Sequence, residues 1–457
     1  MSLRLSARTT VAAAAVATTA LAALTGLVGV ASAAASVAVP ANRIGLYGSQ
    51  DPTFDGTYRQ SLALLALHAA GQTPAAAAVT WLLTQQCADG GFESFRTDVS
   101  KACTAPDSTT FSGEDSNSTG IAVQALVALG KTAEATAAVG WLGTHQNTDG
   151  GWAYYPDGVV GNNSDANSTS LGLSAYSAAG LAAPTKNGAT PQDLLGSLQV
   201  DCSGVVDERG AFTFFGSAND FATVQATLAM ASGFLPVPAL AGADDAPVLP
   251  CPPKAAKAVA PRAKVAAAPL APALSADYAA GYLARRLAAN SDVIPDPFNP
   301  GSADVGSTAN AVIALVATKH GSSQVAATIT ALGGQAAAFI HVSGADVPGA
   351  LAALALADIS AGDDPADFGG TNLVARLAAT LTAAAPSATP SPSATHSSQS
   401  VQPADPGASV SAAHLAATGG GNGASESATL AGLLLVTGGG LVLGVRRSPR
   451  PRHGHGS

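Results

Sequence analysis

Trp141-Leu-Gly-Thr-His-Gln-Asn-Thr-Asp-Gly-Gly-Trp152 decides the fold, because a second copy stands 60 residues upstream as Trp81-Leu-Leu-Thr-Gln-Gln-Cys-Ala-Asp-Gly-Gly-Phe92. In each copy an apolar helical run ends at a glutamine and is followed by Asp-Gly-Gly and an aromatic residue. Glycine accepts the left-handed backbone that satisfies the last carbonyls of a helix, so the order reads as a helix end that turns and folds an aromatic ring back over itself. A period near 60 residues is long for a common solenoid unit and suits two helices plus a sizeable loop.

Working outward, the same pairing recurs. Helices are expected at 55–71, 75–86, 117–130, 133–146, 167–180, 191–199 and 219–233, with a degenerate copy of the turn at Arg209-Gly-Ala-Phe212. Nine prolines interrupt an Ala/Lys-rich stretch between Leu235 and Ala273, which no continuous helix survives. Beyond it the pattern resumes at 275–289, 304–320, 323–341, 346–361 and 370–384. Odd-numbered helices are nearly all apolar and follow polar caps such as Asp115-Ser-Asn-Ser-Thr119, Asp165-Ala-Asn-Ser-Thr169, Asn219-Asp220 and Asp304-Val-Gly-Ser-Thr308. Even-numbered helices lead into the Gly/aromatic turns. A helix without a polar face must be buried on both sides. The expected architecture is therefore all-α: six antiparallel pairs in a ring, odd helices inside, even helices outside, turns and inner N-termini on one rim and the proline-rich insert at the other.

Repeats of helix, Gln, Asp-Gly-Gly-Trp/Phe and an Asn-Ser-Thr-capped helix resemble the terpenoid cyclase and protein prenyltransferase superfamily. That resemblance covers about 45–384 and implies an (α/α)6 toroid. The superfamily's chemistry is harder to find here. The Asp-x-Asp-Asp acid of the squalene-type enzymes is absent: Asp244-Asp245 lies in the insert, and Asp363-Asp364-Pro-Ala-Asp367 has the wrong spacing. The thioester sequence Gly-Cys-Gly-Glu-Gln of complement-like relatives is missing too. Zinc, as in the prenyltransferases, would need a Cys-x-x-Cys or a nearby His pair, and neither occurs. No metal or cofactor is expected.

Composition bounds the rest. The 457 residues are 47% hydrophobic and 11% charged, enough for a large core of closely packed small residues. Net charge is −9, and Arg4, Arg8, Arg446, Arg447, Arg450 and Arg452 lie at the extreme ends, so the body between them is more acidic still. Nucleic acid is excluded as a partner.

The ends read as an export and anchoring system. Residues 1–33 pair Arg4 and Arg8 with an apolar run and the small-residue pattern Ala31-Ser32-Ala33, a signal peptide. The toroid domain is expected at 40–384, with its insert at 235–273, followed by a low-complexity wall spacer at 385–414. Residues 415–457 combine Leu415-Ala-Ala-Thr-Gly419, the apolar run from Leu430 to Val445 and the basic tail Arg446 to Arg452. This order resembles a sortase-type sorting signal, implying cleavage between Thr418 and Gly419, sortase and peptidoglycan as partners, and a transient membrane hold by the hydrophobic segment. A plain C-terminal membrane anchor is the alternative.

Four cysteines, Cys87, Cys103, Cys202 and Cys251, in an exported chain favour disulfides over metal. Three pairings are possible. Cys87 with Cys103 would close the first rim loop, and Cys202 with Cys251 would pin the insert to the body.

Candidate ligand-binding residues gather on the rim: Asp115, Asp165, Asp220 and Asp304 at inner-helix starts, and Trp152, Tyr154, Tyr155 and Phe212 after the turns. Phe214 and Phe215 lie nearby. Gln60, Gln124, Gln225 and Asn310 are polar residues on inner helices that either line the lumen or bond between helices. Glu93, Glu114 and Glu208 are the rim carboxylates a hydrolase would draw on. The leading expectation is an exported, cell-wall-anchored surface protein whose ring binds an unidentified small-molecule, glycan or protein ligand. An enzyme of the cyclase-like superfamily, or a polysaccharide-active (α/α)6 enzyme, is the alternative. A corrinoid-binding surface protein, by resemblance to the intrinsic factor and transcobalamin ring, is a second.

Overall fold

The computed structural model describes residues 40–159, 162–239 and 271–383; all belong to the compact unit that begins at Val39. The signal peptide expected at 1–33, most of the proline-rich insert with Cys251, the spacer at 385–414 and the sorting signal at 415–457 with Thr418 and Gly419 lie outside the described residues. Among the described residues no helix is long and apolar enough to cross a membrane.

Twelve α-helices follow one another among the described residues: α1 (Gly56–Ala69), α2 (Ala76–Gln85), α3 (Ser116–Ala128), α4 (Thr132–Thr144), α5 (Ala166–Ala178), α6 (Pro191–Leu198), α7 (Asp220–Met230), α8 (Pro272–Ala288), α9 (Val305–Thr318), α10 (Ser322–Ile340), α11 (Pro348–Ala361) and α12 (Leu373–Ala379). Most ends differ from expectation by only a few residues. The exception is α12, expected at 370–384. Phe368 pairs with Thr371 ahead of it, and Asn372 caps it by accepting from the Ala375 amide at 2.7 Å, so the helix starts later.

α1 packs on α3, α3 on α5, α5 on α7, α7 on α9, α9 on α11, and α11 returns to α1, which closes an inner ring. The partners α2, α4, α6, α8, α10 and α12 pack outside it, each on the helix before it in sequence. This is the (α/α)6 toroid. Burial follows the sequence pattern: α3 is buried from Ser116 continuously to Leu126, whereas α4 buries only Ala135, Ala138, Val139, Trp141 and Leu142. Inner helices approach closely because small residues face their neighbours. A Cβ on Gly120 of α3 would lie 3.0 Å from the Leu171 backbone of α5.

Two short antiparallel hairpins add to the expected all-α pattern: β1 (Thr213–Phe214) with β2 (Ser217–Ala218), and β3 (His341–Val342) with β4 (Ala345–Asp346). Each is joined by two residues with positive φ, Phe215 and Gly216 at 49° and 81°, Ser343 and Gly344 at 52° and 82°. That is the backbone twist two-residue hairpins prefer.

After α7 the chain crosses the rim of inner-helix C-termini. Ser174 Oγ of α5 donates to the Gly233 carbonyl at 2.9 Å, the Leu235 amide donates to Gln124 Oε1 of α3 at 2.7 Å, and Ser360 Oγ of α11 donates to the Val237 carbonyl at 3.1 Å. Leu235 and Val237 are buried there. The insert thus departs from the rim opposite the Gly/aromatic turns. Because α7 holds α8 and α9 on one side while α1 holds α11 and α12 on the other, the ring joins both halves of the chain. Cleavage at Lys254, Lys257, Arg262 or Lys264 is therefore expected to leave the halves associated in native size-exclusion chromatography. Fragments that separate, with or without reductant, would contradict a shared core.

Candidate functional site

The repeated turn is a hydrogen-bonded fastening. Gln86 Nε2 donates to the carbonyls of Gly90 (3.1 Å) and Glu134 (2.8 Å), Gln146 Nε2 to those of Gly150 (2.7 Å) and Pro184 (2.8 Å), and Gln199 Nε2 to those of Gly210 (3.0 Å) and Ser275 (2.9 Å). Each glutamine ties its own turn to the region where the next outer helix begins. The residue after the glycines then meets the next inner helix: the amides of Phe92, Trp152 and Phe212 donate to the hydroxyls of Thr119, Thr169 and Thr223 at 3.0, 3.1 and 2.9 Å. A fourth copy, absent from the sequence expectations, is built by Ile294, whose amide donates to Thr308 Oγ1 at 2.9 Å. Only its cap, Asp304 to Thr308, carries the sequence signal; an isoleucine has replaced the aromatic.

The recurring acids are fixed by this arrangement. Asp115, Asp165 and Asp304 cap α3, α5 and α9, accepting from the amides of Ser118, Ser168 and Ser307 at 2.6, 2.8 and 2.9 Å. Burial raises the carboxyl pKa of Asp165 and of Asp304. Asp220 departs from the pattern. Asn219 is the cap of α7, and Asp220, one residue on, accepts from Tyr282 Oη at 2.6 Å and pairs with Arg286 Nε of α8 at 3.0 Å. It is an inner-to-outer fastening.

Asp115 has the most distinctive surroundings of the four. It has no exposed surface, its second oxygen accepts from Ser94 Oγ at 3.1 Å, and burial pushes its carboxyl up to about 6. The rings of Tyr154 and Tyr155 pack with centres 4.7 Å apart, and burial, seconded by the Asp115 charge, raises both phenols. On α1, burial pushes the Tyr58 phenol up to about 12, and the side chain of Gln225 on α7 is near enough to temper that rise. α1 and α7 stand opposite each other in the inner ring, so the two side chains approach each other from opposite sides of the lumen.

The other candidates divide by burial. Trp152 and Phe212 have no exposed surface; the Trp152 indole donates to the Leu142 carbonyl at 2.8 Å. Both pack the turns as fully buried side chains. Gln60 bonds the Tyr47 amide and the carbonyls of Gly45 and Ala78, and Gln124 holds Leu235, so neither is free in the lumen. Asn310 is half-buried.

Of the three rim glutamates, Glu93 and Glu114 are brought side by side by an antiparallel backbone bridge, and Glu208 stands apart. Glu208 is exposed in a 3-10 turn, and Glu93 Oε1 accepts from the Thr104 amide at 2.6 Å. Glu114 is 4% exposed and wedged against Gly91, where a Cβ would lie 2.5 Å from its Oε1 and 2.6 Å from Trp141 Nε1. Burial, then Asp89 and Glu93, push its carboxyl up to about 8. Because Trp141 belongs to the outer helix α4, this proton sits outside the inner ring. Cys87 and Cys103 form a disulfide with Cα atoms 5.7 Å apart. Their sulfurs and the Glu114 carboxylate are close enough to hold an ion, but bonded sulfurs are not thiolate ligands. Cys202 is also in a disulfide, and Cys251, its expected partner, lies outside the described residues.

No family model matches the chain, and no curated protein matches it. Solved structures with a similar course of chain include a protein from Actinoplanes, at 15% identity and a TM-score of 0.39, covering 74% of this chain and 94% of that one. The type II terpene cyclase MstE from Scytonema, in complex with its substrate geranylgeranyl dihydroxybenzoate, gives 14% identity and a TM-score of 0.40 over 74% of this chain and 91% of that one. The apo form of MstE gives 13% and 0.39 over 74% and 92%. The toroid stands on its own helix contacts.

Proposed function

We propose that this chain is an exported surface protein, joined to the cell wall through Thr418, whose ring is a binding module that engages its ligand at the rim of the Gly/aromatic turns. The observation that carries the reading is the contrast between lumen and rim. Tyr58 of the inner ring is buried, with Gln225 of the opposite helix near it, and Leu235 and Val237 are buried at the far end. Meanwhile the loops that lead into α5, α7 and α9 hold out Val159, Phe215 and Phe298 at 57%, 60% and 56% exposure. These are consecutive inner helices, so the three side chains share one rim. Phe215 is set by the β1–β2 turn, and the Phe298 amide is held at 2.8 Å by Asp296. Apolar groups on rigid turns are a sound basis for an interface.

An enzyme of the cyclase-like kind is the second reading, favoured by Asp115, a buried carboxyl raised to about 6 beside two tyrosines. One experiment separates the two. Protein released by wall-digesting enzymes is analysed by mass spectrometry, applied to arrays of polysaccharides and extracellular proteins, and incubated with geranylgeranyl substrates. The proposal expects a C-terminus at Thr418, no turnover, and binding that Phe215→Ser with Phe298→Ser weakens by about tenfold or more without loss of fold. Turnover abolished by Asp115→Asn would establish the enzyme instead. Released chain still carrying Arg446 to Arg452 would replace wall sorting with a membrane anchor.

A further inference from the structure

Near the C-terminal end of α11, that helix, α10 and the 3-10 turn Pro365–Asp367 border an open cavity of about 590 Å3. Its floor holds Asp358, which is 2% exposed. Asp363, Asp364 and Asp367 stand exposed at its mouth, and Phe368 forms part of the wall. The wall from α10 is Ile329, Thr330, Gly333 and Gly334, all uncharged. Gly333 lets the returning chain come near: a Cβ on Gly369 would be 3.1 Å from the Gly333 carbonyl oxygen.

Acidic clusters at helix ends are common and by themselves mean little. Here there is a second feature, because Asp358 lines the cavity while 2% exposed, and its Oδ2 is buried without a hydrogen-bond partner. A buried acceptor left so is costly unless something fills the space with a donor. Burial, with Asp363 and Asp364 adding their charge, pushes the Asp358 carboxyl up to about 7. A cation in the cavity would reverse that shift.

The arrangement also says which kind of cation. Among the described residues, the acidic and sulfur atoms close enough to share one metal ion are those at Cys87, Cys103 and Glu114, whereas these four aspartates are spread between a floor and a mouth. The volume exceeds the need of a bare ion and suits an organic molecule. Charge at both ends of an apolar passage calls for a ligand with the same layout. The geometry points to a binding site for a linear organic polycation, an α,ω-diamine or polyamine, with one ammonium at the Asp358 carboxyl group, its methylene chain along Ile329 and Phe368, and a second ammonium among Asp363, Asp364 and Asp367. This site is independent of the rim proposed above.

Isothermal titration of the full chain with spermidine tests it, with calcium chloride titrated separately and sodium chloride matching ionic strength. Saturable spermidine binding is expected, weakened about tenfold or more in Asp358→Asn, since the charged acceptor for one ammonium is lost. Asp363→Asn with Asp367→Asn, both at exposed positions, should weaken it as well and decides the matter if Asp358→Asn fails to fold. Calcium should not compete beyond the matched salt. The proposal is overturned by an absence of saturable binding, by affinity unchanged in the folded variants, or by stoichiometric calcium binding that displaces spermidine.

Discussion

Trp152→Ala is expected to lower the stability of the ring by about 3–5 kcal/mol, the range for emptying a fully buried aromatic site. Trp152 has no exposed surface, its indole N–H donates to the Leu142 carbonyl of α4 at 2.8 Å, and its ring stacks on Tyr176 of α5 with centres 6.1 Å apart. It also fills the room left by Gly172, where a Cβ would come 2.7 Å from the ring. The side chain thus joins an outer helix, a turn and an inner helix. Removing it leaves a cavity and takes one of two donors from the Leu142 carbonyl, which keeps the His145 amide at 3.2 Å. Phe215→Ala, at an exposed position on the same rim, should change stability by no more than about 0.5 kcal/mol. Urea unfolding of both variants measures the contrast. A loss below about 1 kcal/mol for Trp152→Ala would mean that the turn does not hold α4 to α5.

Glu114→Gln is expected to stabilise the protein at pH 8 while changing little near pH 4. The folded-state pKa of Glu114, pushed up to about 8 by burial and by Asp89 and Glu93, lies above its unfolded value near 4.5. A raised pKa means that the folded chain keeps a proton the unfolded chain has released. This contribution is fully present below about pH 4.5 and is lost as pH rises through about 8, at up to about 1.4 kcal/mol per pH unit for one group. Glutamine is nearly isosteric and neutral, and its amide can donate where the protonated acid did. The gain at pH 8 should be on the order of 2–4 kcal/mol. Asp115 and Asp358, raised to about 6 and about 7, add slope of the same sign, so the difference between variant and parent is the quantity to follow. Stability curves that run parallel from pH 5 to pH 8.5 would show that Glu114 is ionised in the folded state.

Sequence alone determined the helices, their alternation and the caps, because these depend on neighbours within a turn or two. Asp115 meets the Ser118 amide and Asp165 the Ser168 amide three residues on, whatever the rest of the chain does. Gln86 and Gln146 announce the turns they fasten because each also bonds a glycine carbonyl four residues away. Ring closure could be argued from the buried odd helices, but its far end could not: the Leu235 amide reaches Gln124 across 111 residues. Tertiary structure likewise decided which similar residues differ. Asp115 and Asp165 occupy the same cap position, yet only Asp115 has no exposed surface, and its charge is felt by Tyr154 and Tyr155. Ile294 performs the role of Phe92 without an aromatic ring, since its backbone amide makes the bond. Glu114 and Asp358 look in sequence like any other rim or helix-end carboxylate. Their protons are held by burial, and burial is set by helices and turns that the folded ring, and not the local sequence, brings against them.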